Sequence, residues 1–418
     1  MGVAASMKES LVYEARPGPW EDVAFHLPPL SLRGQSKKLL TEFLCLVGIA
    51  IVKPIMALRP IDKDAVPRKV LVIRRGGLGD VLMATPLLRS LREHFPSAEI
   101  CALVSRQAAP GLRSSPWVDQ ILEVPNSRKE WLPLVRRLGK ERFDTAFILH
   151  RFFAPSLLAW MAGIPRRLGF TWKDHGFALT DSISFSATRS QTRQIGQLIT
   201  LLGKPAGEPI MEFPTRDCDV RSARELLASW GFDASRPLIG IHPGGGETPL
   251  ASDPARRWHP QRFARLAEML ILHDCHQVVV LQGPGDEPFA EEMLRSMSAE
   301  PLGRAAGLPL PVFAALLGQC DLVVVNDTGV MHLAASQRVP VVALLGPTHP
   351  AYAPPCTAKD KVVWAGLSCS PCYHPEEYVY GQRRNGKKFF ECWRSSNDCM
   401  NAISPEAVRD IVLTQVRR

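Results

Sequence analysis

The sequence has few of the features that mark secreted proteins. Its ten cysteines are too few, in a chain of 418 residues, for a fold that disulfide bonds hold together. The first twenty residues contain no basic segment followed by an apolar core, so they predict no secretory signal. We therefore expect a cytoplasmic protein.

Recognition patterns for nucleic acid are absent as well. The sequence has no zinc-finger spacing, no basic leucine-zipper heptads and no interleaved aromatic RNA-binding pattern. The net charge is +9, and residues 128–193 alone carry +7, with twelve Lys and Arg against five Asp and Glu. Such a basic face suits a phosphorylated glycolipid or an anionic membrane, and a merely solvated surface is the alternative. We expect no nucleic-acid partner.

Composition and periodicity indicate a globular α/β protein. Apolar residues make up 46% of the chain and charged residues 22%, and the length allows two domains. Apolar runs of strand length occur at 70–73, 99–104 and 145–149, and a second series begins with 238–241 and 278–281. Helical patterns separate these runs, so the alternation predicts doubly wound parallel sheets.

An apolar segment precedes the first strand. Residues 39–52 are almost entirely apolar, contain Glu42 and have lysines at both ends. With Pro54 following, the segment falls short of the roughly 20 residues that a bilayer span requires. Two interpretations fit: a helix that lies in the membrane interface, and a helix that packs against the first domain.

The first strand ends in a glycine-rich turn at residues 74–80. Gly77-Leu78-Gly79 resembles a dinucleotide-binding fingerprint, but the third glycine is missing and no suitable acidic residue lies about 20 positions on. A nicotinamide cofactor, and hence a dehydrogenase, is therefore not expected. Pro86 predicts that the next helix bends or restarts at Thr85.

Glycine-rich or small polar loops follow successive strands of the second half. Residues 326–332 follow an apolar run and open into a helix, whose first-turn N–H groups suit a phosphate. An ordinary N-cap at Asp327 or Thr328 is the alternative. Because the carboxyl ends of parallel strands line one crevice, these loops predict a binding site. Its candidate residues are His242, Gly244, Arg256, Arg257, Gly283, Asp327, Thr328, Gly329 and His332.

Four cysteines near the end of the chain are candidate metal ligands. Cys369 and Cys372 have C-x-x-C spacing, whereas Cys392 and Cys399 lie farther apart. His374 is a substitute for one of these ligands. A zinc site and a set of free buried thiols both fit this pattern.

These motifs together resemble glycosyltransferase family 9, the lipopolysaccharide heptosyltransferases. The resemblance covers roughly residues 70–400 and rests on Gly79-Asp80 and on Asp327-Thr328-Gly329-x-x-His332. It implies the GT-B architecture, in which two Rossmann-like domains face each other across a cleft, with ADP-heptose in the second domain and a lipid acceptor in the first. The predicted fold class is therefore α/β with GT-B architecture and an N-terminal helical extension.

The resemblance also implies roles for the donor residues. Thr328, Gly329 and His332 would meet the diphosphate, and Asp327 the heptose. The family often places a lysine before a Trp-Pro pair, whereas this chain has Arg256-Arg257-Trp258-His259, so an arginine would take that role. We expect no required metal, because no carboxylate cluster with magnesium spacing lies near the glycine turn at 74–80 or near the glycine-rich loops of the second half.

On the acceptor side, the resemblance makes Asp80 the general base that deprotonates the acceptor hydroxyl, with inversion at the anomeric carbon. The remaining residues assigned to this side are Gly79, Arg151, Arg166 and Arg167.

The predicted domains are an N-terminal extension over 1–65, an acceptor-side domain over 66–215, a donor domain with a cysteine-containing insert over 216–403, and a C-terminal helix over 404–418 with Ser404 as its N-cap. The expected enzyme is an inverting heptosyltransferase that acts on a lipopolysaccharide core or another glycolipid. It would be cytoplasmic and peripheral to the inner membrane. A relative using another nucleotide sugar and a non-catalytic nucleotide-sugar-binding protein are the alternatives, and the presence of both Asp80 and Asp327 argues against the latter.

Overall fold

The computed structural model describes residues 12–14, 32–58, 61–125, 128–245, 251–352, 360–373, 382–384 and 387–416. The chain forms two units. The N-unit comprises Ser31–Glu212, and the C-unit comprises Phe213–Arg418 together with the strand at residues 12–14. The division after Glu212 lies close to the predicted boundary at 215/216.

The N-unit is built on one parallel sheet. Its strands are β2 (Lys69–Arg74), β3 (Glu99–Ser105), β4 (Gln120–Val124), β5 (Thr145–Ile148), β6 (Arg166–Thr171) and β7 (Asp181–Ser184), in the order β4-β3-β2-β5-β6-β7. Its helices are α1 (Leu32–Ala57), α2 (Leu78–Leu82), α3 (Thr85–His94), α4 (Trp131–Glu141), α5 (Phe153–Met161) and α6 (Gln191–Gln197). The central strand β2 is buried from Val70 onward, which is why its sequence is a continuous apolar run.

The C-unit contains a seven-stranded sheet, in which only β1 is antiparallel to its neighbour. Its strands are β1 (Val12–Glu14), β8 (Leu238–His242), β10 (Gln277–Leu281), β11 (Gly303–Ala305), β12 (Leu322–Asn326), β13 (Val341–Leu345) and β14 (Lys361–Trp364), in the order β1-β14-β13-β12-β8-β10-β11. A small second sheet consists of β9 (Ala251–Ser252), β15 (Gln382–Arg384) and β16 (Lys387–Phe389). The helices are α7 (Asp217–Ser229), α8 (Pro260–Leu272), α9 (Glu287–Arg295), α10 (Leu310–Leu317), α11 (Gly329–Ser336), α12 (Asp398–Asn401) and α13 (Pro405–Val416).

The core of the C-unit lies between its sheet and the helices α8 and α13. Trp258 is fully buried there, edge-on to Phe263 with ring centroids 4.8 Å apart. Its indole N–H donates to the carbonyl of Ile403, 3.0 Å away, which fixes the chain just before α13. The N–H of Ala407 donates to Oγ of Ser404 at 3.2 Å, as expected for the predicted N-cap.

The structure corrects the prediction of a separate extension over 1–65. Strand β1 pairs with β14 and so belongs to the C-unit, whereas α1 belongs to the N-unit. Helix α1 continues through Pro54 to Ala57, so it is longer than the apolar segment 39–52. By length and composition alone, the 20 residues from Lys38 to Ala57 suffice to cross a membrane, although only 11% of them are buried in the protein.

Candidate functional site

Polar side chains of the C-unit gather where neighbouring parallel strands end. In the sheet register, Val325 of β12 pairs with His242 of β8, and Asn326 pairs with Leu344 of β13. His242, Asn326 and the residues that follow β13 therefore meet at one edge of the sheet. This is the edge at which open parallel sheets bind ligands.

Asn326 joins three loops at this edge. Its side chain is fully buried, and its Oδ1 accepts a hydrogen bond from the N–H of Trp258 at 3.0 Å. Its Nδ2 donates to the carbonyl of Gly244 at 2.9 Å. Because buried amides are stable only when they are paired, Asn326 fixes the loop after β8 relative to the arginine segment before α8.

A buried His–Asp pair holds the loops after β8 and β10. Nε2 of His242 lies 2.9 Å from Oδ2 of Asp286, and Asp286 also accepts from the N–H groups of Gly245 (2.8 Å) and Gly283 (3.0 Å). Burial by itself would raise the pKa of Asp286, but the hydrogen bonds and the interaction with His242 outweigh it and lower the pKa. The second ring nitrogen of His242, Nδ1, is buried and has no partner among the described residues.

Asp327 is held between an arginine and a threonine. Its Oδ2 accepts from Oγ1 of Thr348 at 2.6 Å and lies 3.4 Å from Nη1 of Arg256. The guanidinium of Arg256 stacks over the ring of Tyr373 at 4.0 Å. Asp327 and Thr348 are both buried, so their positions are set by the fold and not by solvent.

Next to Asp327, the N-terminus of α11 begins at the N-cap residue Thr328. Oγ1 of Thr328 makes no capping bond, and among the described residues this buried atom has no hydrogen-bond partner. Gly245 lies against Thr328: its φ is +112°, and a Cβ there would be 1.9 Å from Cγ2 of Thr328. The first turn of α11 therefore presents N–H groups and the positive end of the helix dipole beside an arginine.

In the N-unit, the glycine turn folds around Asp80. Oδ1 of Asp80 accepts from Nη2 of the buried Arg74 at 2.5 Å, and Oδ2 accepts from the N–H of Gly77 at 2.8 Å. Arg74 also donates to the carbonyls of Asp80 (3.1 Å) and Leu149 (2.6 Å). The Asp80 side chain is 35% exposed, so a positioned carboxylate is accessible at the end of β2.

A histidine and two further arginines lie at the ends of β2 and β5. Nε2 of His150 accepts from the N–H of Arg75 at 2.7 Å. Burial, together with the charges of Arg74, Arg75 and Arg151, lowers the pKa of His150, so the imidazole is neutral at pH 7. Arg151 lies between the rings of Phe152 (4.7 Å) and Phe185 (5.4 Å). Arg75 is thus close to Asp80 in the sequence, and Arg151 follows β5, the neighbour of β2 in the sheet.

Comparison of the chain with known proteins identifies its family. The sequence profile of glycosyltransferase family 9 (heptosyltransferase) matches residues 131–380, more than half of the chain. The chain belongs to glycosyltransferase family 9. Lipopolysaccharide heptosyltransferase 2 of Salmonella typhimurium is 27% identical to this glycosyltransferase over 311 residues, which cover 71% of this chain and 87% of that protein.

Solved structures agree with this assignment. The structure of E. coli ADP-heptose LPS heptosyltransferase II matches with a TM-score of 0.62 and 25% identity, and covers 83% of this chain and 98% of that one. A family 9 glycosyltransferase from Veillonella parvula matches with a TM-score of 0.66 and 23% identity, and covers 84% and 97%. The predicted family and the GT-B fold class are confirmed, and the protein is a glycosyltransferase.

Two of the predicted acceptor-side residues of the glycosyltransferase lie elsewhere. Arg166 and Arg167 occupy the first positions of β6, at the opposite end of the strand from the carboxyl edge, and both are buried. Nε of Arg167 donates to the carbonyl of Ala178 at 2.6 Å, and its Nη1 bonds the carbonyls of Ile164 and Pro165. Burial lowers the pKa of Arg167 to about 10. We correct the prediction: these arginines support the fold.

Arg257 also differs from its neighbour Arg256. Its Nε donates to the carbonyl of Gly245 at 2.7 Å, and its guanidinium stacks over Phe289 of α9 at 4.4 Å. Arg256 is thus the arginine beside Asp327, whereas Arg257 positions the loop after β8. His332 lies buried in the first turns of α11, and Gly79 lies buried in α2 next to Asp80.

The four cysteines give no support for a zinc centre. No group of three or more His, Cys, Asp or Glu in the described part of the chain is arranged to hold a metal ion, and His374 lies outside that part. Burial raises the pKa of Cys372 and of Cys399 to about 12, and the neighbouring cysteines add to this shift. Without a bound metal, both thiols are therefore protonated at neutral pH.

Several residues of the site were missed by sequence reasoning. They are Arg74, Arg75, His150, Asp286, Asn326, Thr348 and Tyr373. Arg74, Asn326, Arg75, His150 and Thr348 lie at the end of a strand or within three residues after it, which is a usable signal. Their pairing depends on strand order, which periodicity does not reveal.

Proposed function

We propose that this glycosyltransferase moves a heptose from ADP-heptose to a lipopolysaccharide core acceptor and inverts the anomeric carbon. The observation that best supports this proposal is in the C-unit. There the Arg256–Asp327 pair adjoins the N-terminus of α11, which has no side-chain cap. Cationic and N–H groups stabilise the charge that a departing diphosphate gains. The named functions of the Salmonella and E. coli relatives support heptose and ADP-heptose.

The donor's diphosphate would bind at the N-terminus of α11, with Thr328 Oγ1 as an additional partner. Arg256 would supply positive charge, and Asp327 would accept hydrogen bonds from the hydroxyls of the sugar. This role fits Asp327 because Thr348 fixes one of its carboxylate oxygens, Oδ2. The orientation of the other oxygen, which would accept from the sugar, is thereby fixed as well. No metal is assigned a role in this proposal.

Asp80 would be the general base. The acceptor oxygen attacks the anomeric carbon, the bond from that carbon to the diphosphate oxygen breaks, and the acceptor proton passes to the carboxylate. Arg74 and Gly77 orient the side chain, while its partial exposure leaves it accessible to a hydroxyl. Because the acceptor is a glycolipid, the enzyme would act at the cytoplasmic face of the inner membrane.

The test is a transfer assay with the full chain, ADP-heptose and a lipopolysaccharide core acceptor, in the presence of EDTA. Asp80→Asn is expected to lower turnover by about 10²–10⁴-fold, the usual worth of a general base, with ADP binding unchanged. Nuclear magnetic resonance of the product reports inversion or retention. Activity that depends on added magnesium would contradict the assignment of charge supply to Arg256 and α11.

Asp119→Asn is the matched control. Asp119 is also a carboxylate of the N-unit that accepts from an arginine, Arg92 at 2.6 Å, and from a backbone N–H, that of Ile100 at 2.7 Å. Its replacement should leave turnover within a few-fold. Equal losses in both variants would show that Asp80 only supports the fold. Transfer from another nucleotide sugar would favour a relative with a different donor. Binding of the nucleotide sugar without transfer would favour a non-catalytic binding protein.

A further inference from the structure

Helix α1 carries most of the large apolar side chains that are exposed in the described part of the chain. They include Leu39, Leu40, Phe43, Leu46 and Ile51, whose exposed fractions range from 55% to 66%. Large exposed apolar patches mark a surface that binds a partner or a membrane. The question is what covers the outward face of α1.

Among the described apolar side chains of α1, a narrow stripe packs against the rest of the N-unit. The stripe consists of Cys45, Ile49, Val52 and Met56, which pack against Phe177 and Ala178. Its members recur every three or four positions, so they share one face of the helix. A Cβ at Gly48 would lie 2.4 Å from the ring of the buried Phe177, so the absence of a side chain there permits the close approach.

The remaining circumference is apolar apart from its margins. At about 100° per residue, Leu40, Phe43 and Val47 lie roughly opposite the docked stripe. Between residues 39 and 57, the charged residues are Glu42 and Lys53, which lie beside the stripe on the same side, so no residue opposite the stripe is charged over this length. These two charges thus lie where a polar boundary would meet the helix, and the outward face is apolar over residues 39–57.

The docked stripe distinguishes a surface helix from a membrane span. A spanning helix exposes its whole circumference to lipid near its middle, whereas Cys45 and Val52, which lie near the middle of α1, are 2% and 4% exposed in contact with the N-unit. A folded α/β unit cannot accompany them into hydrocarbon. Helix α1 is therefore suited to lie along a membrane with its outward face down.

Charge favours a lipid partner over a second protein. Residues 31–212 contain 27 Lys and Arg against 15 Asp and Glu, a net charge of +12, whereas the rest of the chain carries −3. The whole positive excess of the protein thus lies in the unit that bears α1. Anionic lipid attracts such a unit, whereas a second, equally charged copy repels it.

We propose that the outward face of α1 is a membrane-docking surface that inserts into an anionic bilayer and holds the N-unit against it. The surface itself does not depend on the sugar transferred, whereas its benefit for a glycolipid acceptor rests on the function proposed above. Apolar insertion supplies the salt-resistant part of the binding, and the basic charge of the N-unit supplies the part that salt screens.

The test is sedimentation of the full chain with vesicles of equimolar phosphatidylcholine and phosphatidylglycerol. The triple variant Leu39→Gln, Phe43→Gln, Leu46→Gln should bind at least about a hundredfold more weakly, because each buried apolar side chain is worth on the order of tenfold in partitioning. Vesicles of phosphatidylcholine alone should bind the wild type more weakly than the mixed vesicles. Binding of the variant equal to the wild type would overturn the proposal.

The matched control is Leu132→Gln, Met161→Gln, Leu272→Gln. These three side chains are exposed to a similar degree, between 50% and 59%, but lie outside α1, so vesicle binding should be unchanged. If the first variant fails to fold by circular dichroism, Leu40→Gln, Val47→Gln, Ile51→Gln repeats the test on the same face. Equal loss of binding in the control would mean that general hydrophobicity, and not α1, drives sedimentation.

Three further outcomes separate the competing occupants and the two proposals. Wild-type dimers that do not bind vesicles, and that the α1 variant converts to monomers, would make the face a self-interface and overturn lipid docking. Retention in membranes after alkaline extraction would establish a span instead. The α1 variant should still transfer sugar to a delipidated acceptor, because docking does not take part in the chemistry. If the wild type itself transfers no sugar, the proposed function is refuted, and the vesicle-binding experiment still tests docking by itself.

Discussion

Replacing Asn326 by leucine should destabilise the C-unit and loosen its donor loops. Leucine is larger than asparagine but keeps its branching at Cγ, and it cannot accept from the N–H of Trp258 or donate to the carbonyl of Gly244. Both of these backbone groups would remain buried and unpaired. At about 1–3 kcal/mol for each such group, the expected loss in the free energy of unfolding is about 2–6 kcal/mol.

The measurement is guanidinium unfolding followed by tryptophan fluorescence, since Trp258 itself lies in the affected core. Asn401→Leu is the control, because Asn401 is exposed and its single amide bond, to the carbonyl of Ser396 at 2.8 Å, can be replaced by water. It should change stability by no more than about 0.5 kcal/mol. ADP binding, measured by calorimetry, should weaken only in Asn326→Leu.

A loss below about 1 kcal/mol in Asn326→Leu, or a loss equal to that of Asn401→Leu, would refute this reasoning, because a single orphaned buried group already costs that much. It would mean that water reaches the loop after β8 and that Asn326 does not fix it. A large loss of stability with unchanged ADP binding would separate the two claims: Asn326 would be a stabilising residue without a role in positioning the donor loops.

Two further predictions concern the same loops. The lowered pKa of Asp286 means that its ionisation stabilises the fold above the unfolded pKa of about 3.9, and that this stabilisation is lost as the pH falls through the folded value. Asp286→Asn should therefore cost more stability at pH 7 than at pH 3 in denaturant titrations, and a pH-independent cost would contradict the pairing with His242. Gly245→Ala should weaken ADP binding because its Cβ would displace Thr328, whereas Gly231→Ala, which also has a positive φ (+79°) but open space around it, should not. Equal affinities of the two glycine variants in calorimetry would argue against a donor site at Thr328.

The strands could be predicted because a strand buried on both faces must be apolar throughout. The predicted strand at 70–73 corresponds to the observed strand Lys69–Arg74, and the one at 278–281 corresponds to Gln277–Leu281. The break at Thr85 was predictable for a similarly local reason, since proline fixes its own backbone and fits the first turn of a helix. Such features depend on a few neighbouring residues.

The site could be predicted only in part, because its contacts join distant segments. His242 and Asp286 are 44 residues apart and meet because β8 and β10 are neighbours in the sheet. Helix α1 shows that a local sequence signal can also fail to set the end of an element. Pro54 follows the apolar segment 39–52, yet α1 continues through it. The proline and Ala50 are both exposed, so the carbonyl of Ala50, which loses its helical partner, can be hydrated.

The three-residue strand β1 has a consequence for any shortened form of the protein. It covers β14, the last parallel strand on its side of the C-unit sheet, by pairs such as Tyr13 with Val362. Without β1, the backbone N–H and carbonyl groups of β14 would form a bare sheet edge, which is a template for strand-to-strand aggregation. A protein truncated before β2 would lose this cover together with α1. Its sedimentation would then report self-association as well as lipid affinity, and only substitutions within the full chain keep the two apart.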